Sequence, residues 1–308
     1  MKVLVAGGAG FIGSYVVDAL LERGHTVSIF DVQRPNNAVR KGKVRFIQGN
    51  ILDVGAVSAA VAGHDVVYNF AGLADLNDSI DRPVETVSLN VIGNLNMLEA
   101  ARVHKIKRFI YASSVYVFSQ RGAFYGASKK SSELITEQYG EQYDLGYTII
   151  RYGSVYGERA DHANRIYRVL RQALLEKKIS FPGDGLEERE YIHGRDAAKL
   201  SVDVIESDSY RNQNVILTGI ERFKYGQLLE MIREMMGNTI EIEMLGNEYR
   251  GHYVLTPYSF SPRIGLKLVN NPGIDFGQGL LDCINHIYQE LQDEGLVIAS
   301  PVPEAYSE

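Results

Sequence analysis

Short apolar runs alternate with amphipathic stretches through the first half of the chain. Lys2 to Ala6 is an apolar run that predicts a strand. Ser14 to Arg23 sets Val16, Val17, Leu20 and Leu21 on one helical stripe, closed by Gly24. Strands are expected again at Val27 to Phe30, Val44 to Ile47, Val66 to Phe70, Arg108 to Ala112 and Tyr147 to Ile150. Between them fall helical stretches at Val54 to Ala62, from Pro83 onward with a stripe through Val84, Val87, Val91, Leu95 and Leu98, and around Tyr125 as far as about Tyr143. Strands that are apolar throughout and separated by helices predict a doubly wound α/β fold, a parallel sheet covered on both faces. Ligands of such sheets sit beyond the strand C-termini. Gly7, Asp31, Asn50, Phe70, Ser114 and Arg151 all fall at those ends and should share one rim.

After Gly157 the alternation loosens. Helices are expected at Asn164 to Glu176, Arg195 to Glu206, Tyr225 to Met236 and Gly279 to Leu291. Extended segments are expected at Ile179 to Phe181, Tyr191 to His193, Val215 to Leu217 and Ile240 to Met244. Residues 1–155 therefore predict a dinucleotide-binding domain, rejoined by segments near 190–218, and residues 156–308 a smaller interleaved substrate-binding domain. The proline-containing tail after Gly295 is expected to be partly disordered.

The turn after the first strand carries chemistry. Gly7-Gly8-Ala9-Gly10-Phe11-Ile12-Gly13 leads into the first helix, and Asp31 ends the second strand 18 residues beyond Gly13. In such a unit the glycines let backbone approach a pyrophosphate, and the helix N-terminus presents N–H groups and a positive dipole end. The acid accepts hydrogen bonds from the adenosine ribose and repels a 2′-phosphate, which favours NAD over NADP, a preference that nearby Arg34 softens. Tyr125 and Lys129, four residues apart, lie on one helix face. A cation there is expected to lower the phenol pKa from about 10, making Tyr125 a proton acceptor for an alcohol.

Composition removes several classes. The chain has 308 residues, 45% hydrophobic and 23% charged, enough for a large core. A net charge of -6 argues against a nucleic-acid partner. The single cysteine, Cys283, excludes internal disulfides and Cys-based zinc sites, and the seven histidines show no metal-ligand spacing, with His193 read as a strand residue. No stretch approaches the roughly 18 apolar residues of a membrane span. The first residues are cut short by glycine before they form a signal sequence, so a cytosolic protein is expected. Asn77-Asp78-Ser79 is a formal glycosylation sequon read as a chance occurrence.

These motifs resemble the extended short-chain dehydrogenase/reductase family, the NAD-dependent nucleotide-sugar epimerases and dehydratases. The likeness covers nearly the whole chain. It rests on the glycine motif, on Asn90-Val91-Ile92-Gly93, Tyr111-Ala112-Ser113-Ser114 and Tyr125-Gly126-Ala127-Ser128-Lys129. It continues in Arg151-Tyr152 with Val155-Tyr156-Gly157, and in Gly183-Asp184-Gly185 leading to Arg189-Glu190-Tyr191-Ile192-His193. The resemblance implies that Tyr125 takes the proton from a sugar hydroxyl, Lys129 lowers the Tyr125 pKa and holds the nicotinamide ribose, and Ser114 bonds the reacting oxygen. Ser113 is read instead as capping a turn. Gly7, Gly10, Phe11, Ile12, Gly13 and Asp31 would bind NAD, with Asn50 and Ile51 flanking adenine. Phe70, Ala71 and Gly72 would line the cofactor channel, and Asn90 would brace the backbone there. Arg189, with Arg250 a second candidate, would hold the diphosphate of a nucleotide sugar. Phe181 would lie against the base, and Ser154 falls in the sugar pocket.

Departures from the family pattern narrow the chemistry. Dehydratases of this family carry an Asp-Glu pair after the serine, where this chain has Val115 and Tyr116, so dehydration and decarboxylation are not expected. Tyr116 is either a pocket wall touching the sugar or an aromatic packed beneath the loop. Gly153-Ser154 replaces the usual Phe-Asn, and Gly153 is expected to leave room for a larger sugar. The expected reaction is oxidation at carbon 4 of a nucleotide-diphosphate sugar. Hydride return to the other face gives a 4-epimerase; without it, the enzyme is a 4-dehydrogenase or ketoreductase. A non-catalytic NAD sensor is the alternative of another class. The Pro83 and Tyr125 helices are expected to form a homodimer interface or to pack on the sheet.

Overall fold

The computed structural model describes residues 1–35, 44–246, 252, 254, 266–268 and 273–301. Arg250 and residues 302–308 of the expected disordered tail lie outside the described residues. The chain opens with β1 (Lys2–Ala6), α1 (Phe11–Glu22), β2 (Thr26–Asp31), β3 (Arg45–Gln48), α2 (Val54–Val61) and β4 (Val66–Asn69). It continues with α3 (Leu76–Asp81), α4 (Pro83–Val87), a π turn over Ser88–Ile92, α5 (Gly93–Val103) and β5 (Arg108–Ser114). A 3-10 turn over Val115–Phe118 leads into α6 (Ala123–Tyr143) and β6 (Tyr147–Tyr152). The later elements are β7 (Ser154–Tyr156), α7 (Arg165–Glu176), β8 (Lys178–Phe181), β9 (Glu188–His193), α8 (Gly194–Glu206) and β10 (Gln213–Leu217). Last come β11 (Arg222–Lys224), α9 (Tyr225–Met235), β12 (Glu241–Met244), β13 (Leu266–Leu268) and α10 (Phe276–Asp293).

The chain forms two compact units. The first comprises Met1–Gly153, Ala197–Thr218 and Pro257–Asn270. Its described residues build an eight-stranded sheet in the order β13-β10-β6-β5-β4-β1-β2-β3, parallel at every pairing. Strands β1 to β3 run outward to one side of β1 and β4 to β6 to the other, the arrangement of a Rossmann fold. Every residue of β4 and β5 is buried, as strands covered on both faces must be. On one face Leu4, Phe30, Val67, Phe109 and Ile149 pack with Val57, Met97, Leu98 and Ala101 from α2 and α5.

The helix expected from Pro83 differs instructively. The π turn interposes a wider turn between α4 and α5, so a stripe spaced at 3.6 residues cannot stay on one face. Thr86, Asn90, Gly93, Asn94, Met97 and Leu98 are buried, whereas Val84 is 79% and Val87 42% exposed. Small and polar residues face inward because α6 and the β4 loop approach closely there. Sequence patterning also overlooked α3, β7, β11 and β13, each of three to six residues, too short for a period to show.

The second unit comprises Ser154–Asp196, Gly219–Thr256 and Asn271–Glu308. Its strands form a β11-β9-β7 sheet and a parallel β12-β8 pair. The core gathers Ile166, Val169, Leu170 and Leu174 of α7, Leu228, Leu229 and Ile232 of α9, and Leu280, Ile284 and Ile287 of α10. Asn164 caps α7 by accepting from the N–H groups of Ile166 and Tyr167.

Candidate active site

At the C-terminal end of β1 the backbone turns through Gly7 at φ +75. A Cβ on Gly7 would lie 2.6 Å from Ala71 N, and one on Gly13 would lie 2.2 Å from Gly7 O. Only glycine permits this closeness of loop, helix and neighbouring strand. Among the described residues no side chain caps α1 and no acid sits in its first turn, which leaves the start of the helix without a carboxylate of its own. Gly10 N–H itself donates to Gly7 O at 3.1 Å, tightening the turn. Asp31 accepts from Ala9 N at 3.0 Å and from Gln33 N at 3.1 Å, tying the end of β2 to the loop. A glycine cradle, an uncapped helix start and a carboxylate at the second strand end fit a dinucleotide.

The next wall follows β4. Phe70 stacks on Tyr68 with centroids 6.0 Å apart, and Asn69 Oδ1 accepts from Ala71 N. Asn90 accepts from Leu73 N at 2.8 Å and donates to Leu73 O and to Ser128 Oγ, both at 2.9 Å. Ser132 Oγ donates to Asn90 O at 2.8 Å. Asn90 therefore clamps the loop after Gly72 to α6. Asn50 accepts from Leu52 N at 2.9 Å, and Ile51 is buried against Gly93. Asn69, Asn94, Ser128, Ser132 and Thr136, which patterning did not single out, connect the same strand and helices through buried hydrogen bonds. Their signal was visible: polar residues at inward positions of otherwise apolar elements.

Ser114, Tyr125 and Lys129 lie in this unit, 6%, 9% and 6% exposed. Ser114 ends β5, and its hydroxyl lies near enough to the Tyr125 phenol to draw the phenol pKa down, while accepting from Tyr116 N at 3.4 Å. Ser113 was expected to cap the turn, but Ser114 does so; Ser113 Oγ has no hydrogen-bond partner among the described residues. The alternation of a strand explains the exchange, since neighbouring side chains leave on opposite faces. Lys129 Nζ donates to Ala112 O at 2.7 Å and lies 5.0 Å from the Tyr111 ring centre and 5.9 Å from that of Tyr125.

The electrostatics correct one expectation. Burial holds the Tyr125 phenol above its usual range, and it is the Ser114 hydroxyl, not Lys129, that draws it down. Burial also lowers the Lys129 ammonium to about 8, with Glu133 opposing. Desolvation outweighs the attraction between a cation and a phenol whose ring, not oxygen, it faces. Glu133 is in turn bound by Arg151 through Nε at 2.9 Å and Nη2 at 2.7 Å, both side chains buried.

Two further expectations change. Gly153 was expected to leave room for sugar, yet a Cβ there would meet Thr218 Oγ1 at 2.4 Å. The space belongs to the neighbouring strand. Phe181, expected against a base, is fully buried and stacked 4.3 Å from Tyr225, with the Arg165 guanidinium 5.2 Å from its ring centre. Its ring is core, which leaves backbone as what it can offer a ligand. Ser154, Phe181 and Arg189 all belong to the second unit. Arg189 is buried on β9 and donates to Glu188 O at 2.7 Å. His193 is a β9 strand residue, bonded to Glu158 at 3.0 Å and accepting from Arg195 N at 3.2 Å. Cys283 is buried and its thiol pushed up to about 12 by burial, so it is inert at neutral pH. The described residues hold no cluster of metal-ligating side chains and no helix long and apolar enough to cross a membrane.

The first unit thus joins a glycine cradle that fits a dinucleotide to a buried serine, tyrosine and lysine near the end of β5. Residues 3–219, more than half of the chain, match the family model described as the NAD dependent epimerase/dehydratase family, and the chain belongs to that family. Its cofactor is NAD, the group that the cradle fits. A UDP-glucose 4-epimerase of Corynebacterium glutamicum is 29% identical over 273 residues, covering 79% of this chain and 83% of the relative. The low-salt glycan biosynthesis protein Agl12 of Haloferax volcanii is 30% identical over 308 residues, covering 93% and 98%. The crystal structure of UDP-glucose 4-epimerase from Thermotoga maritima with UDP-glucose shares the fold at a TM-score of 0.80 and 23% identity, covering 94% of this chain and all 100% of that one.

Proposed function

We propose that this protein is an NAD-dependent epimerase acting at carbon 4 of a nucleotide-diphosphate sugar. The observation that carries the assignment is the buried trio of Ser114 at the end of β5, Tyr125 on α6, and Lys129 one turn further on, bonded to Ala112 O of the same strand. NAD supplies the hydride acceptor and, on return, the donor. Tyr125 Oη receives the proton of the carbon 4 hydroxyl and gives it back to the 4-keto sugar. Ser114 donates to the reacting oxygen and steadies charge that develops there. Lys129, one turn along the same helix, is assigned to the nicotinamide ribose. Gly7, Gly10, Phe11, Ile12, Gly13 and Asp31 hold the pyrophosphate and adenosine side of the cofactor, with Asn50, Ile51, Phe70, Ala71 and Gly72 along its length. Asn90 acts by holding the Gly72–Leu73 loop to α6.

Arg189 is assigned to the diphosphate, with Arg250 as second cation, and Ser154 and the Phe181 backbone to sugar and base. The similarity to UDP-sugar 4-epimerases supports a uridine nucleotide, and glycan or polysaccharide precursor synthesis in the cytoplasm as the setting. Val84, Val87, Ile92 and Leu134 leave apolar side chains exposed on α4, the π turn and α6, which supports a homodimer through these helices. The domain assignment follows: the first unit binds NAD, the second the nucleotide sugar.

The purified protein, incubated with UDP-glucose and UDP-galactose, should interconvert them or their N-acetyl or uronic acid analogues with no net change in nicotinamide absorbance. Accumulation of reduced nicotinamide with a stable keto product would instead establish the 4-dehydrogenase. NAD binding without turnover of any nucleotide sugar would leave the sensor.

A further inference from the structure

The 3-10 turn that follows Ser114 brings Tyr116 against the start of α6. Its ring meets Tyr125 edge to face, with centroids 6.1 Å apart and planes at 74°. On its other side lies Gly122 at φ +116, where an added Cβ would stand 3.0 Å from Tyr116 Cδ1 and 3.2 Å from Tyr116 Cβ. Ala123 follows, also at positive φ (46°), so the helix entry is held in a conformation that L side chains disfavour. Gly126 N–H bonds Gly122 O at 2.7 Å, which places the phenol-bearing turn directly after this entry. Tyr116 is half-buried and fills the space between the two. The Tyr116 backbone N–H points at Ser114 Oγ, so that hydroxyl accepts from the turn and keeps its own proton to donate.

We infer that Tyr116 is a positioning residue, which sets the ring of Tyr125 and the donor direction of Ser114 for proton transfer at the substrate hydroxyl. Two groups that act on one substrate oxygen need a fixed mutual angle. The T-shaped contact of Tyr116 with the Tyr125 ring restricts ring rotation, while the same residue's N–H restricts the serine rotor. Gly122 is glycine because the Tyr116 ring occupies the room of its missing side chain. The inference rests on the proposed epimerase function, and it explains why an aromatic stands where related dehydratases place a proton-moving acid.

The experiment compares the full-length protein with its Y116F, Y116A and G122A variants, each loaded with NAD. Melting temperature and NAD retention establish folding. Steady-state turnover of UDP-glucose is followed across pH, and the Tyr125 phenolate is titrated by ultraviolet difference against the Tyr125→Phe protein. Tyr116→Ala should lower kcat on the order of 10- to 100-fold with KM within about 3-fold, and shift the Tyr125 titration. Tyr116→Phe keeps the ring and should stay within about 3-fold of wild type. Gly122→Ala, which displaces the ring, should move kcat and the titration in the same direction as Tyr116→Ala. A rise in KM alone would make Tyr116 a sugar contact and overturn the positioning role, as would unchanged kcat and titration in Tyr116→Ala. If wild type turns over no nucleotide sugar, the phenolate titration still decides the role, separately from the proposed reaction.

Discussion

The two units are built for their tasks in different ways. In the first, Gly7, Asp31, Phe70 and Ser114 stand at or just beyond the ends of parallel strands, while Asn90, Tyr125 and Lys129 come from helical segments. Gly7 and Gly13 admit only close main-chain contact, Asp31 and Asn90 bind N–H groups, and Ser114 ends β5. In the second, Phe181, Tyr225 and Arg165 are long side chains packed together, with one guanidinium near both aromatic rings. Backbone positions tolerate almost no change, whereas a packed cluster of side chains can be rearranged one residue at a time.

The sharpest test of that contrast is Tyr125→Phe, which should lower kcat by about 10³-fold while NAD stays bound and the melting temperature holds. Loss of NAD together with activity would show that the tyrosine belongs to the cofactor site and not to the chemistry. Next in size, Arg189→Lys should raise KM for a nucleotide sugar about 10-fold with kcat within about 3-fold, because a point charge replaces a planar fork. An unchanged KM would remove Arg189 from the diphosphate. Gly13→Ala should weaken NAD affinity by about 10-fold in a direct titration, since its Cβ must displace the Gly7 carbonyl. Equal affinity would mean that the cradle yields more easily than its geometry suggests.

The smallest effect concerns Lys129, whose charge costs stability in the folded state. Its pKa of about 8 lies below the usual 10.5, so between these values the unfolded chain binds more protons and stability rises with pH. The penalty is complete below about pH 8 and fades as pH climbs toward 10.5. Lys129→Met should therefore raise the melting temperature of the NAD-free protein at pH 7 by a few degrees, an effect of ~1–3 kcal/mol less the lost bond to Ala112 O. The gain should shrink at pH 9.5, and turnover should fall. A variant less stable at every pH would show that the Ala112 contact outweighs desolvation.

How much of this was legible beforehand depended on the range of the interaction involved. Periodicity located α1, α6, α7 and the strands β1, β2, β4 and β5 because burial on one or both faces repeats along the chain. It misjudged the Pro83 helix because one π turn changes the phase of everything after it. The glycine motif, Asp31 and the Tyr125–Lys129 spacing were readable because one strand–helix–strand unit holds the first two and one helix the third. Gly153 was misread for the opposite reason: the occupant of its space, Thr218, comes from a strand 65 residues later.

Local order, then, carried the fold class, the cofactor cradle and the identity of the reacting groups, since each depends on neighbours in the chain. Sequence order could not say that Ser114, not Ser113, caps the turn after β5, that burial sets the protonation of Tyr125 and Lys129, or that the Phe181 ring is core. Those outcomes depend on what the chain brings into contact from far away, and on how much water that contact removes.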